Sequence, residues 1–179
     1  MNVYQESDLR FHLQEIKHFR FGDLGAYQTL KSFFIKEMDF TFFYNETLYC
    51  VEVKSFSKAL EHQKHDDLEE RLKNLPNDLT KKIQDTLLMM SSAWLNIGEG
   101  VNLKNEIDTQ FQDSPMGDFF FIVALKLPSP LNQYFGHIQD RTSRQTAGYS
   151  KLFDCNIIVI SYERLQKEFP FIIDVGSNT

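Results

Sequence analysis

Cysteine is nearly absent from this chain of 179 residues. Cys50 and Cys155 are the only two, and each sits inside an apolar, strand-like run. Neither a disulfide framework nor a metal-spacing motif can be built from them, so they read as reduced core thiols. Long apolar runs are missing too. No stretch reaches the ~18 consecutive apolar residues of a membrane-spanning helix. The opening residues, MNVYQESDLRFHLQEIKHF, carry acids early and no apolar h-region. A secretory signal is therefore not expected, and the cytoplasm is the expected compartment. Positive charge is also short, with a net charge of −6. That argues against a protein that coats nucleic acid non-specifically, since phosphate binding relies on clustered Lys and Arg. It leaves room for an enzyme that meets nucleic acid through a small local patch. There is no Walker loop, no GxGxxG, no Ser-His-Asp order and no zinc spacing.

Aromatic residues are plentiful, with 17 Phe and 7 Tyr. A domain of this size buries roughly 70% of its unfolded surface and needs no staples. One domain over residues 1–179 is expected. The predicted elements begin with a helix from about Ser7 to Phe19, where Leu9, Leu13 and Ile16 fall at helical spacing. Tyr27 to Ile35 reads as a first strand, although LKSFF is also readable as helix. Phe40 to Tyr44 and Leu48 to Phe56 read as a hairpin around Asn45-Glu46. Residues 57–77 form a charged segment ending at Pro76, expected as a surface helical insertion or a solvated connection. Ile83, Leu87, Met90 and Trp94 make a buried helical stripe, capped by Asp78 or Thr80 and ended by Gly98. A polar loop over 98–117 precedes an apolar strand, Phe119 to Leu127, of the kind buried on both faces. Residues 131–150 are weakly helical, Cys155 to Tyr162 is another apolar strand, and ERLQKEF begins a final helix. The predicted fold class is α/β, a mixed central sheet flanked by helices.

The chemistry concentrates between Asp39 and Lys54. If Asn45-Glu46 is a two-residue loop, Tyr44 faces Thr47 and Asp39 faces Glu52. Side chains alternate along a strand, so Lys54 shares the face of Glu52. Two bare carboxylates ~5 Å apart repel by roughly 3 kcal/mol at an effective dielectric near 20. A divalent cation offsets that repulsion, and magnesium takes one or two carboxylates, waters and substrate phosphate oxygens. Such a metal acidifies a water and neutralises charge on a phosphoryl transition state, while a lysine beside it can hold or deprotonate the attacking water. A three-residue turn would shift the register and weaken this geometry. The competing reading of Glu-x-Lys is a lateral ion pair on an exposed strand.

Asp39 followed by Glu52-Val53-Lys54-Ser55 resembles the core motif of the PD-(D/E)XK phosphodiesterases, the restriction-endonuclease-like superfamily. The EVKS form is similar to that of small nucleases of the Holliday-junction-resolvase kind. The resemblance implies a core order α-β-β-β-α-β, Mg²⁺ or Mn²⁺ as cofactor, and nucleic acid as partner, DNA rather than RNA. It implies Asp39 and Glu52 as metal ligands, the Val53 carbonyl as a third, and Lys54 as the catalytic lysine. Some members add a glutamate from the first helix. Glu15 is the candidate by sequence distance, although Glu6 lies nearer the buried side of that predicted helix. RecB-like members use a glutamine on the helix after the motif, which points to Gln84 here; otherwise Gln84 is an exposed helical residue. Met38 replaces the family's proline. Nucleases of this kind often pair up to cut two strands, though no feature of the sequence marks a homodimer interface.

Weaker candidates lie outside the motif. Arg141, Arg144 and Lys151 form the best local phosphate-contact patch, unless they simply line an exposed loop or helix. His62, His65, Asp66 and Asp67 sit at helical spacing and could bind metal, although a polar surface helix explains them as well. The expected function is a metal-dependent endo- or exonuclease. A non-catalytic interaction or regulatory protein that keeps the nuclease-like fold is the alternative, and a toxin-like or defence-associated RNase on the same scaffold is a third.

Overall fold

The computed structural model describes residues 3–57, 59, 65–115 and 117–175. Alternating apolar residues build two sheets. The larger contains β3 (His18–Phe19), β4 (Phe40–Tyr44), β5 (Thr47–Ser55), β6 (Phe119–Lys126) and β7 (Asn156–Ser161), in that spatial order. The smaller contains β1 (Val3–Glu6), β2 (Leu9–His12) and β8 (Ile172–Asp174), all antiparallel. β4 runs antiparallel to β5, whereas β5, β6 and β7 are parallel. Parallel neighbours need long crossovers. Here those carry α2 (His65–Leu95) with α3 (Gly100–Glu106), and then α4 (Gln133–Phe153).

Period-two alternation divides the larger sheet into two dry faces. Leu48, Cys50, Phe119, Phe121, Val123 and Leu125 pack against α1 (Gly25–Lys31), α2, α3 and α4. Val51, Val53, Ile122 and Ala124 pack against the smaller sheet and α5 (Tyr162–Glu168). The protein is thus mixed α/β, with helices on one side of a mixed sheet and a second sheet on the other. Among the described residues no helix is long and apolar enough to cross a membrane. Cys50 and Cys155 are buried free thiols. Burial pushes the Cys50 thiol up to about 12 and that of Cys155 up to about 11.

The structure corrects several sequence expectations. No helix spans Ser7–Phe19; the segment turns at Ser7-Asp8, and Glu6 pairs with Leu9 in a hairpin. Leu9, Phe11 and Leu13 are all fully buried, so the period of two outcompetes the helical period that Leu9, Leu13 and Ile16 also satisfy. The expected strand at Tyr27–Ile35 is instead α1 and a following turn. Its N-terminal amides are satisfied from a distance: Gly25 N and Ala26 N donate to the Glu106 carboxylate at 2.6 and 2.9 Å. Pro76 does not end a segment but lies buried within α2. Within the charged segment, residues 58 and 60–64, including His62, lie outside the described residues. The helical stripe of Ile83, Leu87 and Met90 is buried as expected. Its end comes at Asn96, with φ of 54°, two residues before Gly98. Ile97 N donates to Ser92 O and Asn96 N to Ala93 O, a Schellman-type finish. The loop over 98–117 contains α3, whose Leu103 joins the core.

Gly100 is where α3 abuts the last turn of α2. A Cβ there would lie 2.2 Å from the Ser92 carbonyl carbon and 2.6 Å from Ala93 N. Backbone cannot step aside as a side chain can. Gly100→Ala is therefore expected to destabilise the fold by about 2–3 kcal/mol. Urea unfolding checks this; a midpoint equal to wild type would refute the close approach.

Candidate active site

The hairpin has the register the sequence predicts. Asn45 and Glu46 both adopt positive φ (48° and 62°), as a two-residue loop of the primed type requires. Tyr44 pairs with Thr47 and Phe40 with Val51. Regular pairing stops there, and the Asp39 side chain continues it: Val53 N donates to Asp39 Oδ2 at 2.8 Å. This bond fixes the Asp39 carboxylate beside Glu52.

Glu52 faces the helical layer and is fully buried. Its carboxylate is not left alone. Lys54 Nζ lies 2.6 Å from Oε1. Lys82, on α2, donates to Oε1 at 2.7 Å and to Oε2 at 2.8 Å. The same Lys82 Nζ is 3.7 Å from Asp39 Oδ1. Asp39 and Glu52 thus converge on one cation, as the register requires, and that cation is an ammonium from the helix. Lys54 stays about one-third exposed, at the open side of the cluster.

A third acid joins from the smaller sheet. Arg20 bridges the two sheets, donating to Glu6 Oε2 at 3.1 Å and to the Asp39 carbonyl at 3.1 Å. Its guanidinium also lies over the Phe40 ring, 4.9 Å from the centroid. Glu6 stands close enough to Asp39 for the two charges to interact. Burial, then Asp39, raises the Glu6 carboxyl above its ordinary value, against the pull of Arg20, Lys54 and Lys82. The hairpin tip is tied to the motif as well. Ser57 Oγ donates to Asp8 Oδ2 at 2.6 Å, and Ser55, the last residue of EVKS, also donates to Asp8.

The electrostatics follow from this packing. Burial and then the Asp39 charge push Glu52 up to about 7, while Lys82 and Lys54 pull it down. Burial pulls Lys82 down, but Glu52 and Asp39 together more than reverse this, and its ammonium stands above the usual lysine value. Glu6, Asp39 and Glu52 are matched by Arg20, Lys54 and Lys82, so this group of side chains is balanced when all are ionised.

The other sequence candidates lie apart from this cluster. Glu15 is exposed in the segment between β2 and β3, whereas Glu6 occupies the neighbourhood of Asp39. Gln84 is on α2, but two residues from Lys82 it points roughly 200° away around the helix. Arg141 stitches α4 to α2, donating to the Lys73 carbonyl at 3.2 Å and to Asn77 Oδ1 at 3.3 Å. Arg144 is exposed and pairs with Asp140 at 2.9 Å. Lys151 is exposed in the last turn of α4. Asp67 is exposed; the side chains of His65 and Asp66 lie outside the described residues.

Lys82 and Arg20 were the residues missed. The signal for Lys82 lay in a second stripe, Leu68, Leu72, Leu75, Leu79, Lys82, Thr86, Met90 and Ala93. Spaced by three and four, this stripe is broken only by a lysine and a threonine. Thr86, the other polar member, accepts a hydrogen bond from Met38 N at 3.0 Å and holds the chain entering Asp39.

The position between Asp39 and Glu52 is filled by the Lys82 ammonium. Asp39 and Glu52 offer hard oxygens around one cation position, and magnesium completes its shell with water and substrate phosphate. Among the described residues no cluster of three or more His, Cys, Asp or Glu forms a ready-made cage. No family model matches the chain, and neither a curated protein nor a solved structure does.

Proposed function

We propose that the chain is a Mg²⁺- or Mn²⁺-dependent nuclease of the PD-(D/E)XK, restriction-endonuclease-like kind, acting on DNA in preference to RNA. The observation that carries this reading is the convergence of Asp39 and Glu52 on one cation position with Lys54 beside them. Asp39 and Glu52 would hold the metal, with the Val53 carbonyl as a further donor. When bound, the ion would neutralise charge developing on the phosphate and acidify a water. Lys54 reaches outward from Glu52, and its ammonium would hold and orient the attacking water, whose proton would leave to solvent. Arg20 holds Glu6 and the Asp39 backbone in place, which keeps the acids from relaxing apart.

The second reading, a non-catalytic interaction protein on this fold, is favoured by Lys82. Its ammonium neutralises Glu52 without a metal, as a purely structural ion cluster would. The two readings part on a binding measurement. Titration with Mn²⁺ followed by electron paramagnetic resonance should show a bound ion in wild type that is lost in Glu52→Gln. Wild-type protein is then incubated with plasmid, single-stranded DNA and RNA, with Mg²⁺, with Mn²⁺ and with chelator. Metal-dependent DNA cutting supports the first reading, and cutting of RNA alone supports an RNase. Neither binding nor cutting would leave the interaction reading standing.

A further inference from the structure

The larger sheet carries a cavity at the end away from Lys54. It measures about 420 Å³, within the range of small-molecule sites. The last residues of two helices meet there: Ser91, Trp94 and Leu95 of α2, and Phe153 of α4 with Asp154 at its cap. Phe119, the first residue of β6, forms a third side. Phe119 pairs with Leu48, at the opposite end of β5 from Lys54, so the cavity lies roughly 20 Å along the strand from the candidate active site. The aromatic walls are held in place. Trp94 Nε1 donates to the Phe111 carbonyl at 3.0 Å, and the indole meets the Phe119 ring edge-on with centroids 5.8 Å apart. Ser91 Oγ is buried and has no hydrogen-bond partner among the described residues.

We propose that this cavity binds a small organic ammonium, a protonated amine carried on a ring-sized apolar body. Three observations select that class. The first is the walls. Trp94, Phe119 and Phe153 supply aromatic rings, which cover an apolar body and attract a cation. The second is charge. Asp154 is the one acid among the described lining residues, no base stands with it, and helix C-termini carry partial negative charge. The last turn of α2 has no basic residue, and Lys151 of α4 is exposed and outside the lining. An anion is therefore disfavoured. The third is the hydroxyl. An ammonium has N–H groups for Ser91 Oγ and for the Asp154 carboxylate at once, whereas a hydrocarbon would leave Ser91 unpaired. One carboxylate among aromatic walls also falls well short of the oxygen shell that a hard metal ion takes. The cavity does not use Asp39, Glu52 or Lys54, so the inference holds whether or not the chain cuts nucleic acid.

Trp94 is the only tryptophan of the chain, so its fluorescence reports on the cavity directly. Titration of the full chain with phenethylammonium at neutral pH is expected to change that emission saturably, with half-saturation at roughly 0.1–1 mM. Phenylacetate, with a similar ring and the opposite charge, should bind at least roughly tenfold more weakly. Asp154→Asn keeps the left-handed cap, which asparagine tolerates, and should weaken binding of the amine roughly fivefold. Ser91→Ala should weaken it roughly tenfold. Emission that stays unchanged up to roughly 10 mM phenethylammonium would overturn the proposal. So would equal binding of phenylacetate, or binding of the amine that neither substitution weakens.

Discussion

Asp39→Ala should abolish metal-dependent cleavage, lowering the rate by at least roughly a thousandfold, because loss of an outer-shell partner alone costs ~10–100-fold. Asp39 stands directly at the cation position and its other oxygen holds Val53 N. Lys54→Met should cost roughly 10²–10⁴-fold, the range of a side chain positioned on a reacting proton. The two differ in a second readout. Asp39→Ala loses Mn²⁺ binding as well as cutting, whereas Lys54→Met keeps the ion and loses only the rate. A plasmid-nicking assay run beside the Mn²⁺ titration makes the comparison. Activity that persists in both variants would remove these residues from the chemistry.

The hairpin was legible because its turn leaves little choice. Asn45-Glu46 sits between two aromatic, β-branched runs, and one residue of slippage would swap the side chains that each core layer receives. The buried strands β6 and β7 were legible for a related reason: runs as apolar as Phe119–Leu125 are at home only between two layers. The N-terminal segment was not, because Leu9 and Leu13 satisfy both a period of two and a period near 3.6. The pairing with Ile172 and Asp174, far away in sequence, decides between them. α1 was hidden similarly, since Glu106 caps it across 80 residues or more.

The site followed the same division. Asp39, Glu52 and Lys54 lie on one hairpin, so local register brings them together. Lys82 and Glu6 arrive on other elements, and only tertiary packing carries them in. A lysine in an otherwise apolar stripe was nevertheless a usable sign, since burying an ammonium is costly unless a carboxylate awaits it. Arg141, in the most basic stretch of the sequence, is taken up by α2, donating to the Lys73 carbonyl and to Asn77 Oδ1.

Lys82→Met should lower stability by about 2–3 kcal/mol at pH 8, less than the 3–5 kcal/mol of a fully broken buried pair because Lys54 still faces Glu52. The cost should depend on pH, and its sign follows from Glu52. Its carboxyl titrates near 4.5 in the unfolded chain and at about 7 when folded. A raised acid contributes stability that is complete below pH 4.5 and is lost as pH climbs through 7, about 3 kcal/mol in all. Removing Lys82 takes away a cation that draws Glu52 down, so the folded value rises further and the loss extends past pH 7. Near pH 5 the folded carboxyl is protonated in both proteins, and the substitution costs less. Urea unfolding at pH 5 and pH 8 measures the difference; an equal cost at both would mean that Glu52 does not titrate in this range. Glu52→Gln combined with Lys82→Met should recover much of the loss at pH 8, since it removes the buried charge along with its partner. A double variant as unstable as Lys82→Met alone would show that Lys82 acts on the fold through its packing rather than its charge.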